Sequence, residues 1–377
     1  MKKYIISSLL FALTAHAGPD LTYSTSCDSR NQIATLSFVG DILIHDMLYK
    51  SVVSGSKDFS QIWRRTNGLM QKADFSVGNL EGPAALGIDK MGRDHGDVGF
   101  TYDLNIYSGT DMVFNFHPRI LSDLQKSGYD LLTLANNHSL DRHAIGVDRT
   151  IQAARNIGLP VVGTRVAEER NAEFHRVLNI RNVRVAFLGC TEMTNGRIDH
   201  KDQVLSCYNT ERILSIIKNL AARSDIDAVI VLPHWGIEYS HTPDSKQKSF
   251  ARKFLDAGAT AVIGSHPHVL QPWEKYVTAD GRETLIVYSL GNFVAFQKDV
   301  QRKTGTVAYI GLSKEGNQKA KIFGVGYTPT YRDGYEVHPV GSGSFKNALN
   351  HAAQMYGTRA RVEPATSLVP ALCANSK

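Results

Sequence analysis

Short apolar runs rich in β-branched residues recur along this chain, and several of them lead directly into Gly, Asn or His. Examples are Ile33 to Val39, Ala228 to Leu232 and Thr260 to Ile263. Amphipathic stretches such as Phe59 to Lys72 and Ser245 to Ala257 separate the runs and predict helices. This alternation is typical of an α/β domain with buried strands. In such sheets, ligand sites form where the strands end.

Other segments predict an antiparallel part. Arg176 to Ile180 and Val183 to Leu188, separated by two residues, are typical of a hairpin. Thr306 to Ser313 and Lys319 to Tyr327 predict further strands without helices between them, and Ser344 to Met355 predicts a helix. We expect these strands to form an antiparallel section that closes the domain.

The chain divides by sequence into three parts. No linker or low-complexity tract interrupts residues 33–340, so we expect one domain there, with residues 341–377 as a C-terminal extension packed on it. Residues Ala84 to Asn115 are rich in Gly and Asp and follow neither period. They predict a long loop, which is either functional or a surface excursion.

The first 17 residues are typical of a secretory signal peptide. Lys2 and Lys3 precede an apolar run from Tyr4 to Leu13, and Ala15-His16-Ala17 offers a small-residue cleavage site. The apolar run is shorter than the roughly 18 residues that a membrane span needs. We therefore expect a periplasmic or secreted protein without a transmembrane anchor after cleavage.

Export changes how the four cysteines are interpreted, because disulfides persist in oxidising compartments. Four cysteines allow three pairings. Proximity in sequence favours Cys190 with Cys207, and the tendency of chain termini to lie together favours Cys27 with Cys373.

The charge of the chain gives little reason to expect nucleic-acid binding. The formal net charge is +6, from 42 basic and 36 acidic residues. Loss of Lys2 and Lys3 with the signal peptide leaves about +4, and the basic residues are scattered rather than clustered. A weak preference for anionic substrates is compatible with this balance.

Two strand ends deliver carboxylates. Asp41 follows Phe38-Val39-Gly40, and Glu81 follows Phe75 to Leu80, a short run that contains Gly78-Asn79. A Gly-Asp pair after a strand is commonly only a turn, so the first motif is weak by itself.

A third strand end is more specific. The run Leu132-Thr133-Leu134 leads into Asn136-Asn137-His138, with Asp141 close behind. This places an amide oxygen beside an imidazole and offers a carboxylate that can orient the ring through its second nitrogen. The alternative is that the asparagines cap the next helix.

Histidines end two further strands. His234 follows Val229 to Pro233, and His266 and His268 follow Val262 to Ser265. The alternate spacing of His266 and His268 predicts that both side chains point to one side of an extended segment. Together with the earlier motifs they form a nitrogen and oxygen ligand set suited to two divalent ions: Asp41, Glu81, Asn137, His234, His266 and His268. Manganese, zinc and iron all accept such ligands.

The order of these motifs resembles the CapA family of poly-gamma-glutamate capsule proteins. The resemblance spans about residues 35 to 295 and rests on six blocks: Gly40-Asp41, Gly78-Asn79-Leu80-Glu81, Ala135-Asn136-Asn137-His138 with Asp141, His234-Trp235-Gly236 with Glu238-Tyr239, Gly264-Ser265-His266-Pro267-His268, and Ser289-Leu290-Gly291-Asn292-Phe293. It implies a four-layer α/β/β/α sandwich of the metallophosphatase type, similar to calcineurin-like metallophosphoesterases.

The resemblance also implies roles for individual residues. Asp41, Asn137, His234, His266 and His268 match the metal ligands of those phosphoesterases. His138 matches the histidine that protonates the leaving group or holds the transition-state oxygen, with Asp141 orienting it. Glu81 has no simple counterpart, because those enzymes use an aspartate as the bridging ligand; it is either a ligand or a support for one.

Several neighbouring residues are candidates for substrate binding. Arg142 and His143 replace the aromatic residue and glycine usual in the family, and either bind an anion or begin a solvated helix. Trp235 and Glu238 follow His234, although aromatic residues beside motifs more often pack in the core. Asn292 either lines the pocket or completes a turn.

Two functions are compatible with this sequence. The first is a secreted, metal-dependent hydrolase that acts on a phosphoester or on an anionic polymer such as poly-gamma-glutamate. The second is a non-catalytic protein of capsule assembly or export that keeps the fold and works with the capsule synthesis machinery. The complete ligand set favours the hydrolase.

Overall fold

The computed structural model describes residues 18–28, 30–110 and 112–374, so the predicted signal peptide over residues 1–17 lies outside the described residues. Most of the described chain forms two β-sheets with helices outside them. The strands are β1 (Gln32–Ile42), β2 (Phe75–Leu80), β3 (Ser108–Thr110), β4 (Val113–Asn115), β5 (Leu131–Thr133), β6 (Val161–Val162), β7 (His175–Ile180), β8 (Val183–Thr191), β9 (Ala228–His234), β10 (Ala261–Ile263), β11 (Leu270–Val277), β12 (Glu283–Leu290), β13 (Asn292–Val294), β14 (Thr304–Lys314), β15 (Lys321–Asp333) and β16 (Glu336–Pro339). The helices are α1 (Asp46–Ser54), α2 (Asn67–Met70), α3 (Arg119–Lys126), α4 (His143–Asn156), α5 (Thr210–Ala222), α6 (Ser245–Asp256), α7 (Val300–Lys303), α8 (Lys346–Tyr356) and α9 (Leu368–Ala374).

The first sheet has the strand order β16-β15-β14-β1-β2-β5-β6, and β13 also pairs with β1. Strands β1, β2, β5 and β6 are parallel, whereas β14, β15 and β16 continue the sheet in antiparallel pairs. The parallel strands therefore end at one edge of the sheet. The late strands without intervening helices are the antiparallel section that the sequence predicts.

The second sheet has the order β11-β12-β10-β9-β8-β7. Its four central strands are parallel, and β7 and β11 pair antiparallel at the two sides. The predicted hairpin is β7 and β8. Its connecting residues, Arg181 and Asn182, both have positive φ, which is the conformation of a two-residue hairpin turn.

Three apolar layers hold the sheets and helices together. Side chains of β1 such as Leu36 and Phe38 pack against Phe187 and Ile230 of the second sheet. A second cluster covers the outer face of the first sheet with residues of α1, α3 and α4, and a third covers the second sheet with residues of α5 and α6. The order helix, sheet, sheet, helix confirms the predicted four-layer α/β/β/α sandwich.

One helix prediction is wrong. The stretch Phe59 to Lys72 forms two 3-10 turns, Phe59–Ile62 and Arg64–Thr66, followed by the four-residue α2. The Thr66 hydroxyl donates to the Trp63 carbonyl, and Asn67-Gly68 has low helix propensity. The apolar residues still face the core, so the packing follows the sequence although the backbone does not form one helix.

The predicted long loop is ordered around a buried amide. Residues 84–107 contain no strand or helix, and the hairpin of β3 and β4 follows them. Asn115 donates to the carbonyls of Ala85, Ile88 and Ile106 and accepts from the Ala85 N–H. The loop is therefore folded against the end of β4.

The C-terminal residues pack on the domain. Helix α8 lies against β11 and β15, and α9 lies against β15. Two disulfides join Cys27 to Cys373 and Cys190 to Cys207, with Cα atoms 5.4 and 5.3 Å apart. Within the described ranges, no helix has the length and apolar character of a membrane span.

Candidate metal centre

The carboxyl ends of the parallel strands of both sheets meet at one edge of the sandwich. Asp41 lies near the end of β1, Glu81 directly follows β2, and Asn137 follows β5. From the second sheet, His234 ends β9, and His266 and His268 follow β10. All six predicted ligands are at most 2 % exposed, so the structure buries them together.

Two groups of these side chains are close enough to hold a metal ion each. The first consists of Glu81, His234 and His266, and the second of Asp41, Glu81 and His268; within each group the ligand atoms lie within 4.8 Å of one another. Glu81 belongs to both groups. A residue common to both groups would be able to serve as a shared ligand, a role that the sequence left open.

The first group is drawn together around His234. Its Nε2 lies 2.8 Å from Asn137 Oδ1, 3.0 Å from His266 Nδ1 and 3.5 Å from Glu81 Oε1. Two ring nitrogens and two oxygens therefore converge on one small space, and a single proton there cannot form hydrogen bonds to all four. A divalent cation accepts all four at once, so the donor set fits a metal.

The second group is organised by Asp41. His268 Nδ1 lies 3.1 Å from Asp41 Oδ2, and the Asn79 side chain donates to Asp41 Oδ1 at 2.8 Å. Across the pocket, His268 Nε2 is 3.8 Å from Glu81 Oε1. Both Glu81 carboxylate oxygens are buried without a hydrogen-bond partner among the described residues. Two unpaired buried oxygens are costly, and a cation would compensate them.

The electrostatics of the protein without metal show the same imbalance. Burial, together with the negative charge of Asp41, raises the pKa of Glu81 to about 8. Burial opposes the charge of His268, but Glu81 and Asp41 outweigh it and raise its pKa to about 9. Burial lowers the pKa of His234 to about 3 and that of His266 well below its usual range. Without a cation, bound protons must compensate the negative charge of the carboxylates in this pocket. Metal binding instead requires the neutral form of the imidazoles.

The backbone around the paired histidines differs from the prediction. His266 and His268 have φ of 101° and 60°, so the segment after β10 is not extended. Such angles are rare for residues other than glycine and are found where neighbouring contacts enforce them. Here the His266 N–H lies 3.3 Å from both Asp41 carboxylate oxygens. Both imidazole rings nevertheless face the pocket, although the backbone that carries them is bent.

His138 and Asp141 form a buried pair beside the metal ligands. His138 Nδ1 lies 2.8 Å from Asp141 Oδ2, which also accepts from the Phe114 N–H at 2.7 Å. The Phe114 ring packs edge-on against the imidazole, with ring centres 4.7 Å apart. His138 Nε2 has no hydrogen-bond partner in the described part of the chain. The ring is thus held through one nitrogen while the other remains available for a ligand.

The structure shows three site residues that sequence reasoning missed. Asn79 contacts Asp41 and lies 3.2 Å from His234 Nδ1, and Ser265 Oγ lies 3.2 Å from the same nitrogen. Asn195 lies between the Asn137 and His138 side chains. Asn79 and Ser265 are part of the six sequence motifs, so their positions could have indicated a role at the site. Asn195 lies in a loop with no sequence pattern of its own.

The substrate-binding candidates separate into two kinds. Asn292 is at the site: its Oδ1 lies 3.0 Å from His268 Nδ1, and its Nδ2 donates to the His268 carbonyl. Glu238 is half-buried near the site, and its charge contributes to the raised pKa values of Glu81 and His268.

Trp235 and Arg142 lie in the interior instead, which corrects both candidates. Trp235 is fully buried against Phe254 and donates to the Tyr288 carbonyl. Arg142 is fully buried as well, and donates to the carbonyls of Ile88, Asp141, Asn105 and Ile106. The sequence allows two roles for Arg142, anion binding or a solvated helix start, and the structure shows neither. Arg142 instead connects the long loop to the start of α4.

His143 is exposed and begins α4 with φ of 57°. Its Nε2 lies 3.2 Å from the Lys90 carbonyl of the long loop. Its position therefore links it to that loop rather than to the metal ligands.

Comparison with known proteins agrees with the motif order. Residues 35–297 match the family described as bacterial capsule synthesis protein PGA_cap. The chain belongs to this family. The family assignment confirms the resemblance drawn from the six motifs, and the matched residues contain every predicted metal ligand.

Individual proteins are similar to this chain over most of its length. The capsule biosynthesis protein CapA of Bacillus anthracis is 30% identical over 294 residues, which cover 76% of this chain and 66% of that protein. The PGA biosynthesis protein CapA of Bacillus subtilis (strain 168) is 26% identical over 292 residues, which cover 78% of this chain and 71% of that protein. This chain thus spans about two thirds of the length of the B. anthracis protein. Among solved structures, a 5'-nucleotidase precursor from Thermus thermophilus is 13% identical with a TM-score of 0.44, and the alignment covers 85% of this chain and 58% of that one.

Proposed function

We propose that this chain is an exported, two-metal hydrolase of capsule biosynthesis that cleaves a phosphoester or an amide bond in an anionic substrate. The observation that carries the proposal is Glu81, whose buried oxygens have no hydrogen-bond partner among the described residues and which is common to both candidate metal groups. A single structural ion needs four ligands in a closed shell. Six buried ligands arranged as two groups with a shared carboxylate favour two ions and catalysis.

Each residue has a role in this proposal. Glu81, His234, His266 and Asn137 would hold one ion, and Asp41, Glu81 and His268 the other. Bound ions would polarise the oxygen of the bond to be cleaved and lower the pKa of water. His138 donates a proton to the leaving group through Nε2, and Asp141 stabilises the protonated ring through Nδ1. Asn292 and Asn79 hold His268 and Asp41 in place from behind.

Export and substrate class rest on separate support. The pattern of residues 1–17 is that of a signal peptide, and two disulfides suit a periplasmic or extracellular protein. The relatives carry names of capsule and PGA biosynthesis, which favours an anionic envelope polymer such as poly-gamma-glutamate as substrate. We expect the protein to act alongside the capsule synthesis machinery, and not on nucleic acid.

The test is a substrate screen combined with metal analysis. Protein loaded with manganese, zinc or iron is incubated with phosphomonoesters, phosphodiesters and poly-gamma-glutamate, and products are detected by mass. We expect about two ions per chain and turnover of one substrate class. Glu81→Gln should lower the content of both ions together, because one residue serves both groups. Two bound ions with no turnover of any substrate would instead support a non-catalytic role in polymer assembly.

A further inference from the structure

The loop after β8 brings a partly exposed arginine to the His138–Asp141 pair beside the candidate metal centre. Arg197 Nε lies 3.8 Å from Asp141 Oδ1, and Asp141 holds His138 through its other oxygen. The Arg197 side chain is 29% exposed, whereas Asp141 and His138 are at most 1% exposed. Arg197 therefore stands between solvent and the His138–Asp141 pair.

The loop that carries Arg197 is fixed at several points. Glu192 accepts from the Gly236 N–H and from the Tyr208 hydroxyl, which ties the loop to the end of β9. A tight turn follows, in which the Arg197 N–H donates to the Thr194 carbonyl and the Thr194 hydroxyl donates to the Arg197 carbonyl. A guanidinium on such a turn has a defined starting position, which lowers the entropy cost of binding a ligand.

Asn195 shows that this turn borders the reactive side chains directly. The Asn137 amide donates to Asn195 Oδ1 at 3.3 Å, and Asn195 Nδ2 lies 3.4 Å from His138 Nδ1. Asn137 is a candidate metal ligand and His138 the candidate acid. The turn thus touches both, and Arg197 lies two residues further along.

Arg197 makes fewer side-chain interactions than Arg302, another arginine near the pocket. Arg302 forms a close ion pair with Asp299, and its guanidinium carbon lies 4.8 Å from the centre of the Tyr239 ring, which in turn packs 6.0 Å from the His268 ring. In the described part of the chain, the Arg197 guanidinium has the 3.8 Å ion pair with Asp141 and no hydrogen bond. Its planar set of donors remains open to a carboxylate or phosphate group, which it fits in a bidentate manner.

We propose that Arg197 recognises an oxyanion of the substrate, a carboxylate or a phosphate, next to the bond that is cleaved. This inference rests on the proposed function and narrows it: the substrate carries a negative group on the leaving-group side. A polymer with a carboxylate in every unit meets this requirement, and so does a phosphorylated compound. A neutral ester or amide does not.

Calorimetric binding to the manganese-loaded protein tests this proposal with two probes, inorganic phosphate and a trimer of γ-linked glutamate. We expect Arg197→Ala to weaken binding of at least one probe by about 10- to 100-fold, the loss of a charged hydrogen bond. Arg197→Lys should be intermediate, because it keeps the charge without the fork. The probe that responds identifies the oxyanion.

Arg181→Ala is the matched control, since Arg181 is 72% exposed and paired with Asp74 in the turn between β7 and β8. It should bind both probes like wild type, and all variants should retain the wild-type metal content. Unchanged affinity of Arg197→Ala for both probes would overturn the proposal, as would failure of the wild type to bind either. If binding depends on Arg197 but the screen finds no turnover, anion recognition stands and the proposed hydrolysis fails.

Discussion

The two edges of the sandwich both contain charged residues but arrange them differently. At the amino ends of the parallel strands, a groove of about 770 Å³ is lined by residues such as Asp227, Arg282 and Lys319. These groups have partners: Asp227 accepts from Lys314 at 3.0 Å, Arg282 donates to Asp280, and Lys319 donates to the Ile226 carbonyl. At the carboxyl edge, Glu81 and His138 keep buried atoms without partners among the described residues.

This difference distinguishes the groove, which is only a cavity, from the candidate functional site at the carboxyl edge. The groove is large, but Asp227, Arg282 and Lys319 already have partners within the protein. At the carboxyl edge, buried polar atoms of Glu81 and His138 lack partners among the described residues, and such atoms call for an explanation such as a bound ion or a catalytic role. Unbalanced chemistry therefore locates the site better than volume does.

The largest effect is expected from removing ligands of both metal groups. The His266→Ala, His268→Ala double variant takes one imidazole from each group and should lose the bound ions, with hydrolysis falling to the level of chelator-treated wild type. Metal analysis and rate are the measurements. His338→Ala, a partly exposed histidine on β16, is the control and should retain both. Full activity in metal-free wild type would contradict this prediction.

Removing the candidate acid should leave the ions in place. His138→Ala keeps all six predicted ligands, so the metal content should stay at the wild-type value while the rate of phosphodiester hydrolysis falls about 10²- to 10⁴-fold. A substrate with a good leaving group should suffer less, because its departure needs no proton. A variant as fast as wild type on every substrate would show that His138 has another role.

A smaller effect is expected from the residue that holds His268. Asn292→Ala removes the contact at His268 Nδ1, and loss of such outer partners lowers metal affinity about 10- to 100-fold. Titration with a competing chelator measures this. Asn31→Ala removes an asparagine that bonds Ser313 at the opposite edge and should leave metal affinity unchanged. Equal affinities in the two variants would show that Asn292 serves only the local backbone.

The amino edge should respond in stability alone. Lys314→Met leaves the buried Asp227 carboxylate without its ion pair, which we expect to cost about 1–3 kcal/mol in the free energy of unfolding. Denaturant unfolding measures this loss, and metal content and hydrolysis should be those of wild type. A marked fall in metal affinity would mean that the two edges are not independent.

Much of the fold and of the site was accessible from the sequence because the same residues encode both. Strands that are buried on both faces give continuous apolar runs, and the polar residue that ends each run marks the sheet edge. That logic brought Asp41, His234 and His266 together before any coordinates. The four-layer order came from the family resemblance of the motifs, since periodicity alone does not say how two sheets stack.

The remaining features depend on tertiary contacts that no local pattern carries. Arg142 and Trp235 stand beside site residues in sequence, but their side chains point into the protein, and the backbone direction after β5 and β9 decides this. The shared position of Glu81 results from the approach of two sheets. Asn195 and Arg197 reach the site on a loop without periodicity, where only the fold determines which side chains face the pocket.

The disulfide between Cys27 and Cys373 has a consequence for the covalent topology of the molecule. It joins residues 346 positions apart, so the chain between them is a closed ring, with the Cys190–Cys207 bond as a small loop inside it. A protease that cuts once in an exposed loop, for example near Met91, opens the ring without releasing a fragment. The two pieces of the nicked protein would stay joined until a reductant separates them.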